Sequence, residues 1–174
     1  MSESGTSPGE AVLICGMGRL GQHCAVLLKE LGIPVYGLDH DALKSFDTEG
    51  VSQLLERFMV GDCRHRSVLT KAGVLSCRAV LVTTGEELTN FSAALAARSL
   101  NPDTRLVVRS SQSNLNELLH QRISNLIAFD TAELPATAFA LAAIGDETIG
   151  LFPLDFPPRG ALTAADSQSI FAVP

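Results

Sequence analysis

The sequence predicts an α/β fold built on a doubly wound, parallel, six-stranded sheet, and three observations support this prediction. Short apolar runs alternate with helical patterns along the chain. Several of these runs end in glycine or a small polar residue, and the first leads directly into glycines spaced G-x-G-x-x-G. Strands that alternate with helices form parallel sheets through right-handed crossovers. The strand order expected for this pattern is 3-2-1-4-5-6.

The first strand, turn, helix and second strand form one unit. The run Ala11–Cys15 is continuously apolar, as expected for a parallel strand that is buried on both faces. Glycines then follow in the G-x-G-x-x-G spacing, at Gly16, Gly18 and Gly21. A helical pattern ends at Gly32, and a second apolar strand over 35–38 finishes at Asp39. This order of elements is the context that a Rossmann-like dinucleotide-binding fingerprint requires.

Each part of that unit has a physical role in binding a nucleotide. Gly16 permits the tight turn, Gly18 lets a pyrophosphate approach the backbone, and Gly21 lets the helix pack closely on the sheet. The unpaired N–H groups at the helix N-terminus face the phosphates. Asp39 lies 18 residues after Gly21, near the expected spacing, so its carboxylate can accept hydrogen bonds from a ribose diol. A ribose 2′-phosphate would meet like charge there.

The rest of the chain continues the alternation. Further strands are predicted at 58–60, 79–85, 105–109 and 126–129. Helices are predicted at 67–72, 86–100, 113–120 and 134–144, with a helix start at 42–46 and an ambiguous region at 47–57. Ligands of such sheets bind beyond the carboxyl ends of the strands, at the switch point between strands one and four. One crevice is therefore expected to gather Gly16, Asp39, Gly61 with Asp62, and Thr83 with Thr84 and Gly85.

Composition and charge restrict the class of protein. The chain has 174 residues, of which 46% are hydrophobic, and its formal net charge is −6. No Lys/Arg run typical of nucleic-acid binding and no apolar stretch of membrane-spanning length is present, and the polar N-terminus carries no cationic, apolar signal. A cytoplasmic protein without direct membrane insertion is predicted.

The cysteines show no zinc spacing, so no metal site is predicted. The expected organisation is a disordered leader at 1–9, a nucleotide-binding domain at 10–145, and at 146–174 a crossover arm, a tail or the start of a truncated second lobe.

Several motifs together resemble the RCK domain, also called the KTN or TrkA-N domain. They are GMGRLG at 16–21, DHD at 39–41, GD at 61–62, AGV at 72–74, VLVTTGEELTN at 80–90, and NP at 101–102 leading to VVR at 107–109. The resemblance runs from about Val12 to Ile144. It implies the nucleotide-binding regulatory domain of a potassium channel or of a Trk/Ktr-type potassium transporter.

The resemblance implies a ligand-gated module rather than an enzyme, with NAD(H), ATP, ADP or AMP as the ligand. It implies that the phosphates lie at the glycine turn, the adenosine ribose at Asp39, and the adenine beside Asp62 and Cys63. The whole nucleotide-binding set predicted is Gly16, Met17, Gly18, Arg19, Leu20, Gly21, Asp39, His40, Asp62, Cys63, Thr83, Thr84, Gly85 and Arg109. The implied partners are further copies of the chain, in a homodimer or a larger ring, and a membrane-embedded potassium channel or transporter subunit. Such a domain would lie at the inner face of the membrane.

Two other functions stay open. An NAD-dependent oxidoreductase can share the fold, but it needs an acid or base that faces the nicotinamide. None of the histidines, which are His23, His40, His65 and His120, sits at the end of strands four to six. The single tyrosine, Tyr36, lies within the second strand, so no catalytic residue is predicted. The regulatory domain of a cation/proton antiporter would share both fold and site. The apolar helical patterns at 91–100 and 134–144 predict an oligomer.

Overall fold

The computed structural model describes residues 10–42, 50–112, 116 and 123–131. All of them lie in the first of two compact units, which cover 1–136 and 137–174. The leader, the tail and the helices predicted at 42–46, 113–120 and 134–144 lie outside the described residues, except for Ala42 and Asn116.

In the described part of the chain, parallel strands form one sheet in the order β3-β2-β1-β4-β5-β6. The strands are β1 (Ala11–Cys15), β2 (Val35–Asp39), β3 (Arg57–Val60), β4 (Cys77–Val82), β5 (Arg105–Arg109) and β6 (Leu126–Phe129). The chain therefore winds outward in both directions from β1 and β4. The predicted fold class and strand order are confirmed.

Helices connect the strands. They are α1 (Arg19–Glu30), α2 (Val51–Leu54), α3 (Arg66–Ala72) and α4 (Glu87–Leu100), with a 3-10 turn at Val74–Ser76. Helix α2 occupies the region that the sequence left ambiguous. Helices α1 and α3 are each followed by a left-handed glycine, Gly32 (φ 72°) and Gly73 (φ 99°), a conformation that glycine adopts without strain.

Two strand boundaries differ from the prediction. β3 begins at Arg57 rather than at residue 58. β4 covers Cys77–Val82 rather than 79–85. The backbone N–H of Thr83 still donates to the carbonyl of Cys15 at 2.8 Å, but that of Thr84 donates to Oδ1 of Asn90 at 3.0 Å. The chain leaves the sheet after Thr83 because a buried side chain replaces the neighbouring strand as hydrogen-bond partner.

The core lies on both faces of β1. Leu13 and Ile14 are fully buried, and they belong to two separate apolar clusters because successive strand residues point to opposite faces. Helix α1 covers one face through residues such as Ala25. Helices α3 and α4 cover the other, with Leu69 and Ala94 fully or almost fully buried. The apolar run in the sequence is therefore a central strand enclosed by two layers of helix.

Helix α4 has both a buried and an exposed apolar face. Its alanines Ala93, Ala94 and Ala97 are buried in the core. Leu88 and Leu95 are 73% and 52% exposed. None of the described helices is long and apolar enough to cross a bilayer.

The register of the sheet brings the strand ends into line. Cys15, the last residue of β1, pairs with Leu38 of β2 and with Val82 of β4. The residues that follow these positions therefore meet at one edge of the sheet, at the switch point between β1 and β4. The backbone N–H of Gly61 extends this edge to β3 by donating to the carbonyl of Asp39 at 2.7 Å.

Candidate functional site

A cleft of about 860 Å³ opens at this edge, and we call it the switch-point cleft. It is lined by Gly16, Gly18, Arg19, Leu20, Leu38, Asp39, His40, Gly61, Asp62, Cys63, Arg64, Thr83, Thr84, Gly85, Glu86, Thr89, Arg109 and Thr131. Its volume lies within the range of about 300–1,000 Å³ that is usual for small-molecule sites. Its position is the one where open α/β sheets bind their ligands.

The three glycines of the turn differ in how closely other atoms surround them. Gly16 has a φ of 98°, and a Cβ there would lie 2.7 Å from the backbone nitrogen of Thr84. A Cβ on Gly21 would lie 2.0 Å from the carbonyl oxygen of Gly16. A Cβ on Gly18 would meet no atom within 4 Å. The outer glycines therefore allow close packing, whereas the middle one leaves open space beside the cleft.

The start of α1 is suited to bind an anion. Gly18 is the N-cap residue with an extended backbone, no side chain caps the helix, and the first turn of α1 contains no acidic residue. The first N–H groups of a helix lack intrahelical acceptors and carry partial positive charge. Arg19, the first residue of α1, also lines the cleft. A phosphate group fits this combination of backbone donors and guanidinium.

Asp39 is held in a fixed orientation at the end of β2. Its Oδ2 accepts the backbone N–H of Met17 at 2.6 Å, and its Oδ1 accepts the N–H of Asp41 at 3.2 Å. The imidazole of His40 lies between the two aspartates, with Nδ1 2.9 Å from Asp39 Oδ1 and Nε2 3.2 Å from Asp41 Oδ2. A carboxylate has about four acceptor positions, and three neighbours contact Asp39 here, so about one position is left for a hydroxyl of a ribose diol.

Two threonines and a buried asparagine build the opposite wall. The Thr83 hydroxyl donates to the carbonyl of Gly16 at 2.8 Å, which ties the end of β4 to the glycine turn. Asn90 of α4 is 1% exposed, and its Oδ1 accepts the N–H and the hydroxyl of Thr84 at 3.0 and 2.6 Å. Its Nδ2 donates to the carbonyls of Thr84 and Arg109 at 3.1 and 3.0 Å. Asn90 thus fixes the ends of β4 and β5 against each other.

Glu87 forms a second polar link between α4 and the end of β5. Its carboxylate accepts hydrogen bonds from the hydroxyl of Ser110, from the N–H and hydroxyl of Ser111, and from the amide of Gln112, at 2.5–3.2 Å. The Ser110 bond is the main reason that the pKa of Glu87 is lowered. Its neighbour Glu86 faces the cleft and accepts the hydroxyl of Thr89 at 2.6 Å.

Asp62 and Arg64 form an ion pair at the β3 side of the cleft. The Arg64 guanidinium donates through Nε and Nη2 to both carboxylate oxygens, at 2.7–3.0 Å. The backbone N–H of Arg64 donates to Asp62 Oδ1 at 2.9 Å. These bonds lower the pKa of Asp62 to about 2, so the pair is ionised at neutral pH.

Cys63 contributes a buried thiol to the cleft. It lies between Asp62 and Arg64, and its side chain hydrogen-bonds with that of Cys15 at the end of β1. This hydrogen bond, together with burial, raises the pKa of Cys15, while the same bond lowers the pKa of Cys63. All four cysteines are free thiols. The described residues contain no group of three or more His, Cys, Asp or Glu side chains that could hold a metal ion.

Most of the predicted site residues come together in the switch-point cleft, and two do not line it. Met17 is 4% exposed and contributes its backbone N–H to Asp39. Gly21 is buried against Gly16. The lining residues that sequence reasoning missed are Leu38, Arg64, Glu86, Thr89 and Thr131. Arg64 and Thr131 follow a strand end by a few residues and Thr89 lies in the first turn of α4, so proximity to strand ends was the available signal.

Comparisons with known proteins agree with this geometry. The family model of the TrkA-N domain matches residues 12–129. "Probable potassium channel protein 2" of Methanocaldococcus jannaschii is 29% identical over 102 residues, which cover 58% of this chain and 29% of the relative. The "Voltage-gated potassium channel Kch" of Escherichia coli is 27% identical over 113 residues, which cover 61% of this chain and 26% of the relative. The chain thus spans less than a third of the length of these relatives.

Solved structures share the fold. The TrkA-N domain of the inner membrane protein ybaL of Escherichia coli superposes with a TM-score of 0.64 at 18% identity, over 78% of this chain and 98% of that one. The AMP-bound Kef CTD of Shewanella denitrificans gives 0.61 at 19% identity, over 79% and 82%. The GsuK channel bound to NAD gives 0.62 at 23% identity, over 76% and 23%. With the family model matched over most of its length, the chain belongs to the TrkA-N domain family and is related to potassium channel proteins.

Proposed function

We propose that this TrkA-N domain binds an adenosine nucleotide in the switch-point cleft and regulates a membrane-embedded potassium channel or potassium transporter. The observation that carries the proposal is the joint presence of an open, uncapped helix start at α1 and a fixed carboxylate at the end of β2. Gly18 leaves that helix start open, and Met17 orients Asp39 across the turn. NAD(H), AMP, ADP and ATP all carry both a phosphate and a ribose diol.

The solved relatives support this class of ligand. AMP is bound in the Kef CTD, and the GsuK channel has been solved with NAD and with ADP. These ligands share the adenosine 5′-phosphate group. The proposal therefore names the shared chemistry rather than one member of the set.

A regulatory role fits the cleft better than hydride transfer. His40 is the imidazole of the cleft among the described residues, and it lies at the end of β2 between Asp39 and Asp41. That is the adenosine side of the sheet, whereas a nicotinamide would lie toward the ends of β4 to β6. The polar groups on that side, such as Thr84 and Asn90, bond to the protein itself.

Regulation also requires partners. The potassium channel relatives and the inner membrane protein ybaL support a membrane protein as the partner, with this domain at the inner face of the membrane. Leu88 and Leu95 lie two turns apart on α4 and are exposed, which supports an assembly of two or more copies. A ligand shifts such an assembly only if it binds one quaternary state more tightly than the other.

We expect the wild-type protein to bind NADH at least about tenfold more tightly than NADPH, because the 2′-phosphate of NADPH meets the Asp39 carboxylate.

Asp39→Asn keeps an oxygen for the N–H of Met17 but removes the negative charge of the side chain. It should weaken NADH binding about 10- to 100-fold, since a hydrogen bond to a charged group contributes about 1.5–3 kcal/mol. Isothermal titration calorimetry with both nucleotides measures these ratios.

Glu30→Gln is the matched control, because Glu30 is an exposed carboxylate at the end of α1 and does not line the cleft. Its NADH affinity should stay within about twofold of wild type. Equal affinity of the wild-type protein for NADH and NADPH would contradict the assignment of Asp39 to the ribose.

A further inference from the structure

The described cleft contains a planar cation whose role the proposed function does not explain. Arg64 lines the cleft, and its side chain is 53% exposed. Its guanidinium is fixed by Asp62 through Nε and Nη2, a side-on bidentate geometry. One edge of the guanidinium donates its N–H groups to Asp62. The two flat faces of the guanidinium carry no hydrogen-bond donor. A fixed planar cation at a cleft rim is suited to stack on another planar group.

The order of the strands indicates which part of the nucleotide reaches Arg64. The phosphates belong at the start of α1, which follows β1, and the ribose belongs at Asp39, which ends β2. The base extends from the ribose away from the phosphates and therefore toward β3, the next strand. The residues that follow β3 are Gly61 to Arg64, and Asp39 pairs directly with Val60 in the register of β2 and β3.

The surroundings at this end of the cleft suit a purine. Leu38 and Cys63 provide apolar lining. No aromatic ring of Phe, Tyr or Trp lines the cleft in the part of the chain that the structure describes. Among the residues that line the cleft near the ends of β2 and β3, the planar side chains that can cover a base are the His40 imidazole, whose two nitrogens face carboxylates, and the Arg64 guanidinium. Arg64 is thus the better placed of the two to cover the face of a base.

We propose that the Arg64 guanidinium is the stacking surface for the adenine ring of the bound nucleotide, with Asp62 holding it in position. This inference rests on the proposed function, since it assumes that the switch-point cleft binds an adenosine nucleotide. The ion pair restricts the arginine side chain before the ligand arrives, so less conformational entropy is lost on binding. Because stacking uses only the face of the base, Arg64 selects nucleotides with a base over sugar phosphates without one.

The test measures AMP binding by calorimetry in wild type, Arg64→Ala and Arg64→Lys, with Arg66→Ala as the matched control. Arg66 is an exposed arginine at the first position of α3 and does not line the cleft. Arg64→Ala should raise the Kd for AMP about 5- to 30-fold, the range expected for losing a cation–π or base-stacking contact. Arg64→Lys should raise it by a similar factor because lysine keeps the charge but has no plane. Arg66→Ala should bind AMP as wild type does.

Two further measurements separate stacking from simple charge effects. Removing the Arg64 side chain leaves the Asp62 carboxylate without its guanidinium partner, so Arg64→Ala is also compared with Asp62→Asn/Arg64→Ala, where the weak binding should persist. Ribose 5-phosphate, tested as a competitor of AMP, should have the same inhibition constant in wild type and in Arg64→Ala. Wild-type affinity in Arg64→Lys or in the double variant, or an equal loss for ribose 5-phosphate, would overturn the inference while the proposed function stands. Absence of AMP and NADH binding in the wild-type protein would overturn both.

Discussion

Gly18→Asp is expected to weaken the binding of NADH and AMP at least about 100-fold while the protein stays folded. The substitution causes no steric clash at Cβ, because a Cβ at this position has nothing within 4 Å, and the backbone of Gly18 is already extended. Aspartate is also a preferred N-cap residue, so α1 should be as stable as before or more so. The carboxylate would occupy the N–H groups that the phosphate needs and repel it. Like charges about 4 Å apart cost on the order of 4 kcal/mol at the effective dielectric constant of a protein surface.

The matched variants for this position are Gly18→Asn and Gly18→Ala. Asparagine has the size and capping ability of aspartate without its charge, so it should weaken binding much less than Gly18→Asp does. Calorimetry gives the affinities, and thermal unfolding confirms that all variants are folded. Undiminished AMP binding by a folded Gly18→Asp protein would contradict the assignment of the phosphate to the start of α1.

Gly21→Ala is expected to lower the free energy of unfolding by at least about 2 kcal/mol. A Cβ on Gly21 would lie 2.0 Å from the carbonyl oxygen of Gly16, and backbone atoms cannot move aside as a flexible side chain can. Overpacking usually costs about 1–3 kcal/mol and sometimes more, and this overlap with backbone belongs at the upper end. The better helix propensity of alanine offsets only about 1 kcal/mol. A chain of this size should then melt roughly 4–8 °C lower or more.

Gly18→Ala is the control for that measurement, since it makes the same chemical change three residues earlier where no atom lies in the way. Its stability should change by less than about 1 kcal/mol. Urea unfolding, followed by circular dichroism, measures both variants. Equal stabilities of Gly21→Ala and Gly18→Ala would mean that α1 does not pack on the glycine turn as described.

Local signals in the sequence were enough to predict the sheet and one half of the site. The apolar run Ala11–Cys15 had to be a central strand because no polar residue interrupts it. The glycine spacing and the position of Asp39 follow from the geometry of one strand–helix–strand unit, so they are readable over about thirty residues. The predicted strand ends added Gly61 with Asp62 and Thr83 to Gly85, and the resemblance to the TrkA-N family, confirmed by the family model, added Cys63 and Arg109.

The features that were missed depend on contacts between distant residues or on side-chain geometry. The Thr83 hydroxyl meets a carbonyl 67 residues earlier in the chain, and nothing near Thr83 in the sequence indicates that bond. Asn90 was noticed only within a family motif, but its role comes from joining Thr84 to the carbonyl of Arg109. Arg64 is one of many exposed arginines until its pairing with Asp62 is seen at the rim of the cleft.

The most direct test of the central claim is a calorimetric titration of the wild-type protein with AMP and with NADH, followed by chromatography of the recovered ligand. We predict saturable binding of one molecule per chain, competition between the two ligands for the same site, and recovery of both chemically unchanged. Failure of AMP, ADP, ATP and NADH to bind would contradict the claim that the switch-point cleft is a nucleotide site. Steady oxidation of NADH in the presence of a small metabolite, abolished by Gly18→Asp, would instead identify an oxidoreductase.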